Sequence, residues 1–318
     1  MTMRIGYLMR RLAMLGVTLL VASFAIFAAT YVAPGNPLAA LSGGKSLSAE
    51  AQAVLERRYH LDEPFLAQYW HWLSGALRGD LGVSIPLHQD VSSLIADRAW
   101  ITLSLVLYAA VIIVVLGIGL GLLAGLRPGW IDSSVLVISS MAAAVPAFVA
   151  AIVLIAVFAV SLGWFPTIGV GEGFLGHLEH LTLPAVALAL SSVAVVARVT
   201  RTAIREEVER EHVQTAISRG IPQHLVVTRH VLRNAAIPIT TVTGVTIASL
   251  IAISSVVETS FGLNGLGQYL VKSAQGKDIA VVQGISLVLV VAFVLVNVVV
   301  DAMYAVLDPR VKRGARAS

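Results

Sequence analysis

The chain has 318 residues, 57% of them hydrophobic and 13% charged, with a mean hydropathy of +0.86. Such a balance excludes a domain folded around a water-soluble core and requires most of the chain to lie in lipid. The formal net charge is +4, but the basic residues sit beside apolar runs instead of forming a stripe on a soluble domain, which argues for membrane topology and against nucleic acid; with no cysteine, disulfides and thiolate metal sites are excluded.

Six runs lack Asp, Glu, Lys and Arg: 12–44, 99–126, 133–171, 181–197, 234–257 and 279–300. A crossing helix needs about 20 residues, so an all-α integral membrane fold with six transmembrane helices is expected. The first run, in a segment 1–33, follows Arg4, Arg10 and Arg11 and stays apolar to about Ala33, beyond the roughly 7 to 15 residues of a signal-peptide core. An uncleaved helix is favoured; processing near Ala28 and Ala29 is the competing reading.

Residues 34–98 form the sizeable polar insert, opening on a PGNP turn. Ser48, and then Asp62 with Pro64, are read as the starts of two short helices. Its aromatic residues Tyr59, Phe65, Tyr69, Trp70 and Trp72 are read as anchors at the headgroups more than as substrate contacts. The stretch ALSGGKS, preceded by Ala39, approaches a phosphate-binding loop but lacks its first glycine, and reads as a linker.

In the second run, Gly117, Gly119, Gly121 and Gly125 imitate a dinucleotide fingerprint, yet no strand precedes them; the Gly121 and Gly125 pair predicts close helix packing. Pro146 predicts a kink in the third. His177, Glu179 and His180 lack the spacing that puts two imidazoles on one helix face, so no metal site is expected and a capping or loop role is favoured. The fourth run is the shortest, and Arg198 and Arg201 mark its edge, because an arginine at a helix centre costs roughly 2.5 to 3.5 kcal/mol. In the fifth, Thr240, Thr243, Thr246 and Ser254 share one face, lining a polar pathway or hydrogen-bonding to neighbouring helices. Asn297 and Asp301 share a face near the end of the sixth, where Asp301 should be paired or close to the interface.

Lysine and arginine set the orientation. The basic residues before run one, at Arg127, between Arg198 and Arg233, and from Arg310 onward fall on one side, and by the positive-inside rule both termini are cytoplasmic and 34–98 is extracytoplasmic.

Between runs four and five lies EHVQTAISRGIPQHLVVTRHVLRNAAIP, arginine-rich and interrupted in its middle. Gly220 suits a left-handed helix end, and the fixed φ of Pro222 suits the first turn of a following helix, so a short helix, a bend and a second short helix are expected. Held against a membrane from both sides, such a segment is a docking element. It resembles the cytoplasmic EAA loop of binding-protein-dependent ABC importers, whose EAAxxxG pattern appears as Gln214, Thr215, Ala216, Ile217, Ser218, Arg219 and Gly220. Gln214 in place of the glutamate, and the late Pro238, match the oligopeptide, dipeptide and nickel permease branch. LDEPFLAQYWHWL with GDLGVSI resembles the extracytoplasmic insert of that branch's B-type membrane subunit, and blocks such as VVETSFGLNGLGQYLVKSA and VNVVVDAMYAVLDPRVKR extend the resemblance over nearly the whole chain.

The resemblance implies a type I ABC importer permease fold: a five-helix core over 99–310, a cytoplasmic coupling loop 206–233 with coupling helices, and a cytoplasmic tail 311–318. It implies ATPase-coupling roles for Glu211, Gln214, Thr215, Ala216, Arg219, Gly220 and Pro222, with residues 206–219 seated in an ATPase cleft and the small Ala216 facing it. It also implies an outer loop or gate containing Glu258, Phe261, Gly265 and Gly267. The chain is then no enzyme and binds no cofactor of its own, ATP and Mg acting at partner ATPase subunits. Its partners would be a homologous second permease subunit, two ATPase subunits or domains, an extracytoplasmic substrate-binding protein and membrane lipid, with no nucleic acid, in a prokaryotic cytoplasmic membrane. The cargo would be peptides or a similar small solute, with a nickel or metal-chelate importer as the alternative and a non-ABC channel or assembly protein the competing class.

Overall fold

A computed structural model describes residues 2–32, 50 and 62–307, with the side chains of 2–12, 301 and 303–307 left out of the description. The expected Ser48 helix start, Tyr59, the linker at 39–46, the pairing of Asp301 and the tail 311–318 therefore lie outside the described residues. The chain divides into two compact units, Met1–Trp100 with Asn264–Val294, and Ile101–Leu263 with Leu295–Ser318.

In the first unit, α1 (Thr2–Val32) carries the helix α2 (Phe65–Leu77). Phe65, Tyr69 and Trp72 recur at helical spacing and pack on α1, Tyr69 meeting Phe24 edge to face at 5.3 Å and its hydroxyl sharing a 2.9 Å hydrogen bond with Ser23. Trp70 is 59% exposed. A two-residue ladder of β1 (Val83–Ser84) and β2 (Gln89–Asp90) leads into α3 (Val91–Leu126). The Ser84 hydroxyl donates a 2.6 Å bond to Asp278, just before α10 (Ile279–Leu307), and α9 (Leu266–Gln275) packs its Leu266 with Val91, Ile95, Val281 and Ile285. The Arg98 guanidinium lies 4.1 Å over the Tyr269 ring, whose phenol is pushed up by burial against the opposing pull of Arg98, so the arginine covers a neutral ring.

The second unit is organised around α6 (Gly173–Val208), a 36-residue helix twice the length of its charge-free run. Charge does not end the helix: Arg198, Arg201 and Arg205 continue the same ladder. The Gly117, Gly121 and Gly125 row of α3 runs along α6, where added Cβ atoms would come within 3.0 Å of Val196, 2.6 Å of the Ala197 carbonyl oxygen and 2.8 Å of Ile204, respectively. This is the predicted small-residue seam, extended by one turn. Gly119 points elsewhere and meets nothing within 4 Å.

The third run, expected to be one kinked span, is two helices, α4 (Trp130–Ala144) and α5 (Ala147–Ser161), bent by 100°. Pro146 supplies no N–H and holds Val145 extended at φ −87°, ψ 116°, which stops α4 outright. Among the described residues five helices are long and apolar enough to cross a membrane, and six if the bent pair is one broken span.

Candidate docking segment and its supports

Helix α6 ends at Val208, Glu209 and Arg210 make the turn, and α7 (Glu211–Ser218) follows. The expected docking helix 206–219 is thus shorter, because 206–208 belong to the long helix. The end of α7 is as foreseen: Gly220 has φ +73°, its N–H bonds Ile217 and the Ile221 N–H bonds Ala216, the paired bonds of a left-handed cap. Pro222 stands just outside the next helix, with ψ 136°, so it caps α8 (Gln223–Phe261) instead of entering its first turn. No second short helix exists; α8 runs through a π turn at Val226–Val231 and through Pro238 into the fifth span.

Position in α7 divides its residues by face. Glu211, Gln214, Thr215 and Ser218, spaced three and four apart, are exposed and line an open concavity together with Arg219. Gln214 also donates from Nε2 to the Val208 carbonyl at 2.9 Å. Ala216 does not belong with them. It is 5% exposed and packs inward with Val213 against Ile204, Val226, Val231 and Ala235. Its small side chain permits close approach of α7 to its own chain, and the expectation that it faces a partner is corrected accordingly.

Two buried carboxylates that the sequence reading passed over hold this end together. Glu207, in the last turn of α6 and 6% exposed, accepts from Asn234 Nδ2 of α8 at 2.7 Å and lies 3.0 Å from His212 Nε2 of α7 and 3.3 Å from Arg210 Nε. Asp132, in the first turn of α4, accepts from the Nε of Arg201 and from its Nη2 at 2.8 Å, and forms an ion pair with Arg205, whose Nη2 lies 2.8 Å away. Arg201 is therefore a structural ion-pair partner. Helix phase separates Glu207 from Glu206, and Glu209 already lies in the turn, although the three look equivalent in sequence.

The other candidates disperse. On α8, Thr243 and Ser254 are buried and Thr240 and Thr246 half-buried; Ser254 donates to the Ile251 carbonyl of its own helix, and Thr243 Oγ1 has no hydrogen-bond partner among the described residues. Two of the four hydroxyls thus turn into the interior of their own unit. Glu258 is fully buried and accepts from Thr102 Oγ1 at 2.8 Å; Phe261 is buried beside it, and Gly262 ends α8 at φ +61°. In the first unit, Gly265 starts α9 and Gly267 is buried within it. His177 Nδ1 faces the Val170 carbonyl at 3.0 Å, in a loop-closing place at the start of α6, and among the described residues no three His, Asp or Glu side chains are grouped to hold a metal.

Residues 117–313 match the family described as binding-protein-dependent transport system inner membrane component, and residues 4–106 match the N-terminal segment of such membrane components. A chain of Brucella melitensis named as a peptide transport system permease protein is 37% identical, with 98% of this chain and 99% of that one aligned. The glutathione transport system permease protein of an Escherichia coli O6:H1 strain is 35% identical over 97% and 99% of the two chains. Among solved structures, the methionine ABC transporter MetNI in an inward-facing conformation superposes with a TM-score of 0.55 at 19% identity, covering 68% of this chain and 96% of that one, and shares the type I importer permease fold. The chain belongs to the family of binding-protein-dependent transport system inner membrane components. It is a multi-pass membrane subunit of an ABC importer, not an enzyme.

Proposed function

We propose that this chain forms half of the passage of an importer that moves peptides or a similar small solute inward across the cytoplasmic membrane of a prokaryote, with both termini and α7 on the cytoplasmic side. A second, homologous permease subunit would complete the passage. Two ATPase subunits or domains, binding ATP and Mg, would drive it, and an extracytoplasmic binding protein would deliver the cargo.

The observation that carries this reading is the two-faced α7. Val213 and Ala216 fasten it to the body of its own chain, while Glu211, Gln214, Thr215, Ser218 and Arg219 present a polar, uncovered face. A short helix held from within and polar without is suited to seat in a cleft of a soluble partner. When ATP draws the two ATPases together, the paired α7 helices would approach, and the attached spans would rock between inward and outward openings. Gly220 and Pro222 set the direction in which α8 leaves that contact. The peptide cargo follows from the names of the relatives, and a nickel or metal-chelate cargo would use the same docking face.

Reconstitution tests the reading. Uptake of labelled peptide into vesicles should require this chain, the second permease, the ATPases and the binding protein together; ATP-driven uptake without separate ATPase subunits would sink it. Orientation is checked independently by labelling Ser48→Cys and Ser218→Cys in this cysteine-free chain, which should react from opposite sides of the membrane.

A further inference from the structure

We propose that Glu207 is the positioning residue that makes α6, α7 and α8 move as one body, and that it sets how much transport each ATP hydrolysis yields. The inference rests on α7 being the ATPase-docking element. What it adds is the means by which a push on an eight-residue helix reaches two membrane helices at once.

Backbone alone transmits such a push poorly. Glu209 and Arg210 join α6 to α7 through a non-helical turn, and Gly220 to Pro222 join α7 to α8 through another, so both connections can hinge. Across these hinges the Glu207 carboxylate makes polar links to three places: Oε1 accepts from Asn234 of α8 and lies beside Nε2 of His212 in α7, while Oε2 faces Nε of Arg210 in the turn. Asn234 Nδ2 and His212 Nε2 are themselves 3.4 Å apart, so the two side chains converge on one carboxylate oxygen. The carboxylate is nearly excluded from water, a setting in which charge-assisted bonds are stiff and directional. Apolar packing by Val213 and Ala216 holds α7 against the body but does not fix it against sliding or rotation; the Glu207 carboxylate, 3.0 Å from His212 of α7 and hydrogen-bonded by Asn234 of α8, ties its N-terminal turn to both neighbours.

The test uses the complete transporter in vesicles and compares uptake per ATP hydrolysed, together with ATPase association. Glu207→Leu removes the acceptor while keeping an apolar filler of similar reach. It should leave ATPase association near normal and lower uptake per ATP by roughly tenfold, the scale of a typical coupling free energy. Glu207→Gln keeps one acceptor oxygen and should recover most of that loss. A merely structural role would lower the amount of folded complex and leave the ratio unchanged. Where Glu207→Leu fails to assemble, Asn234→Ala and His212→Ala, each removing one partner of the carboxylate, should show smaller losses of the same ratio. An unchanged ratio in every assembled variant overturns the proposal. Arg219→Glu on the outer face separates the two readings: if it leaves ATPase association intact, the docking role of α7 itself fails; if it weakens association while the Glu207 series leaves the ratio unchanged, only the positioning role fails.

Discussion

On the seam between α3 and α6, a Cβ added at Gly121 would lie 2.6 Å from the Ala197 carbonyl oxygen; at the end of α7, a Cβ at Gly220 would meet nothing within 4 Å, yet its φ is +73°. One glycine is required for space and the other for its dihedral. The seam glycines let two membrane helices approach at backbone distance, where dispersion is strongest and lipid is excluded. The turn glycine lets a short helix stop in the open and reverse toward Pro222, leaving its polar face uncovered. The two regions should thus fail differently, the first in folding and the second in function.

The largest effect is expected from Gly121→Val. Its side chain meets α6 backbone, which cannot yield as a flexible side chain would, so α3 and α6 must part and the whole seam is lost. Overpacking of this kind costs about 1 to 3 kcal/mol or more, and a monodisperse peak on size-exclusion chromatography in detergent should disappear. A normal peak would show that the seam can spread at little cost.

Asp132→Ala comes next. It removes the acceptor shared by Arg201 and Arg205 and unties α4 from α6, but Arg205 keeps partial access to water. The cost should therefore fall between the roughly 1 kcal/mol of exposed pairs and the roughly 3 to 5 kcal/mol of buried ones. A lowered thermal midpoint, partly restored in Asp132→Glu, is the expected reading.

Gly220→Val should reverse the pattern of Gly121→Val. Forcing a β-branched residue to positive φ costs about 1 kcal/mol or more, a loss the surrounding fold tolerates because nothing crowds the site. The folded yield should stay near normal while ATPase co-purification and uptake are lost. Normal uptake would mean that the turn merely shapes a solvent loop. Ala216→Trp, by contrast, should now behave as a core lesion and lower stability together with uptake, since Ala216 packs inward.

The smallest effect is expected at Gly119, in the same helix and the same glycine cluster. With open space around it, Gly119→Ala should be neutral or raise helix stability by about 0.5 to 1 kcal/mol. A marked loss of thermal stability would show that Gly119 too is covered by a neighbour.

Local chemistry made much of this legible. Charge-free runs long enough to cross a membrane follow from composition alone, as does the basic insert between the fourth and fifth, and Gly220 signalled its own left-handed cap because few other residues adopt that conformation. Gly121 and Gly125 announced close packing through their spacing. Where one element met another, the sequence was silent. It could not say that Ala216 faces inward, since the face an eight-residue helix buries depends on what packs against it. Nor did it distinguish a kink from a 100° break at Pro146, or foresee that α6 and α8 run on past their charge-free stretches.

By itself, then, the sequence determined a multi-pass helical membrane protein of this permease family, because hydropathy, charge position and turn chemistry act over a few neighbouring residues. Only the tertiary structure decided which carboxylates matter. Glu206, Glu207 and Glu209 are chemically alike, and Glu207 differs because helix phase turns it toward His212 and Asn234, away from water. Asp132 gains its place in the same way, from Arg201 and Arg205 brought to it across about seventy residues of chain.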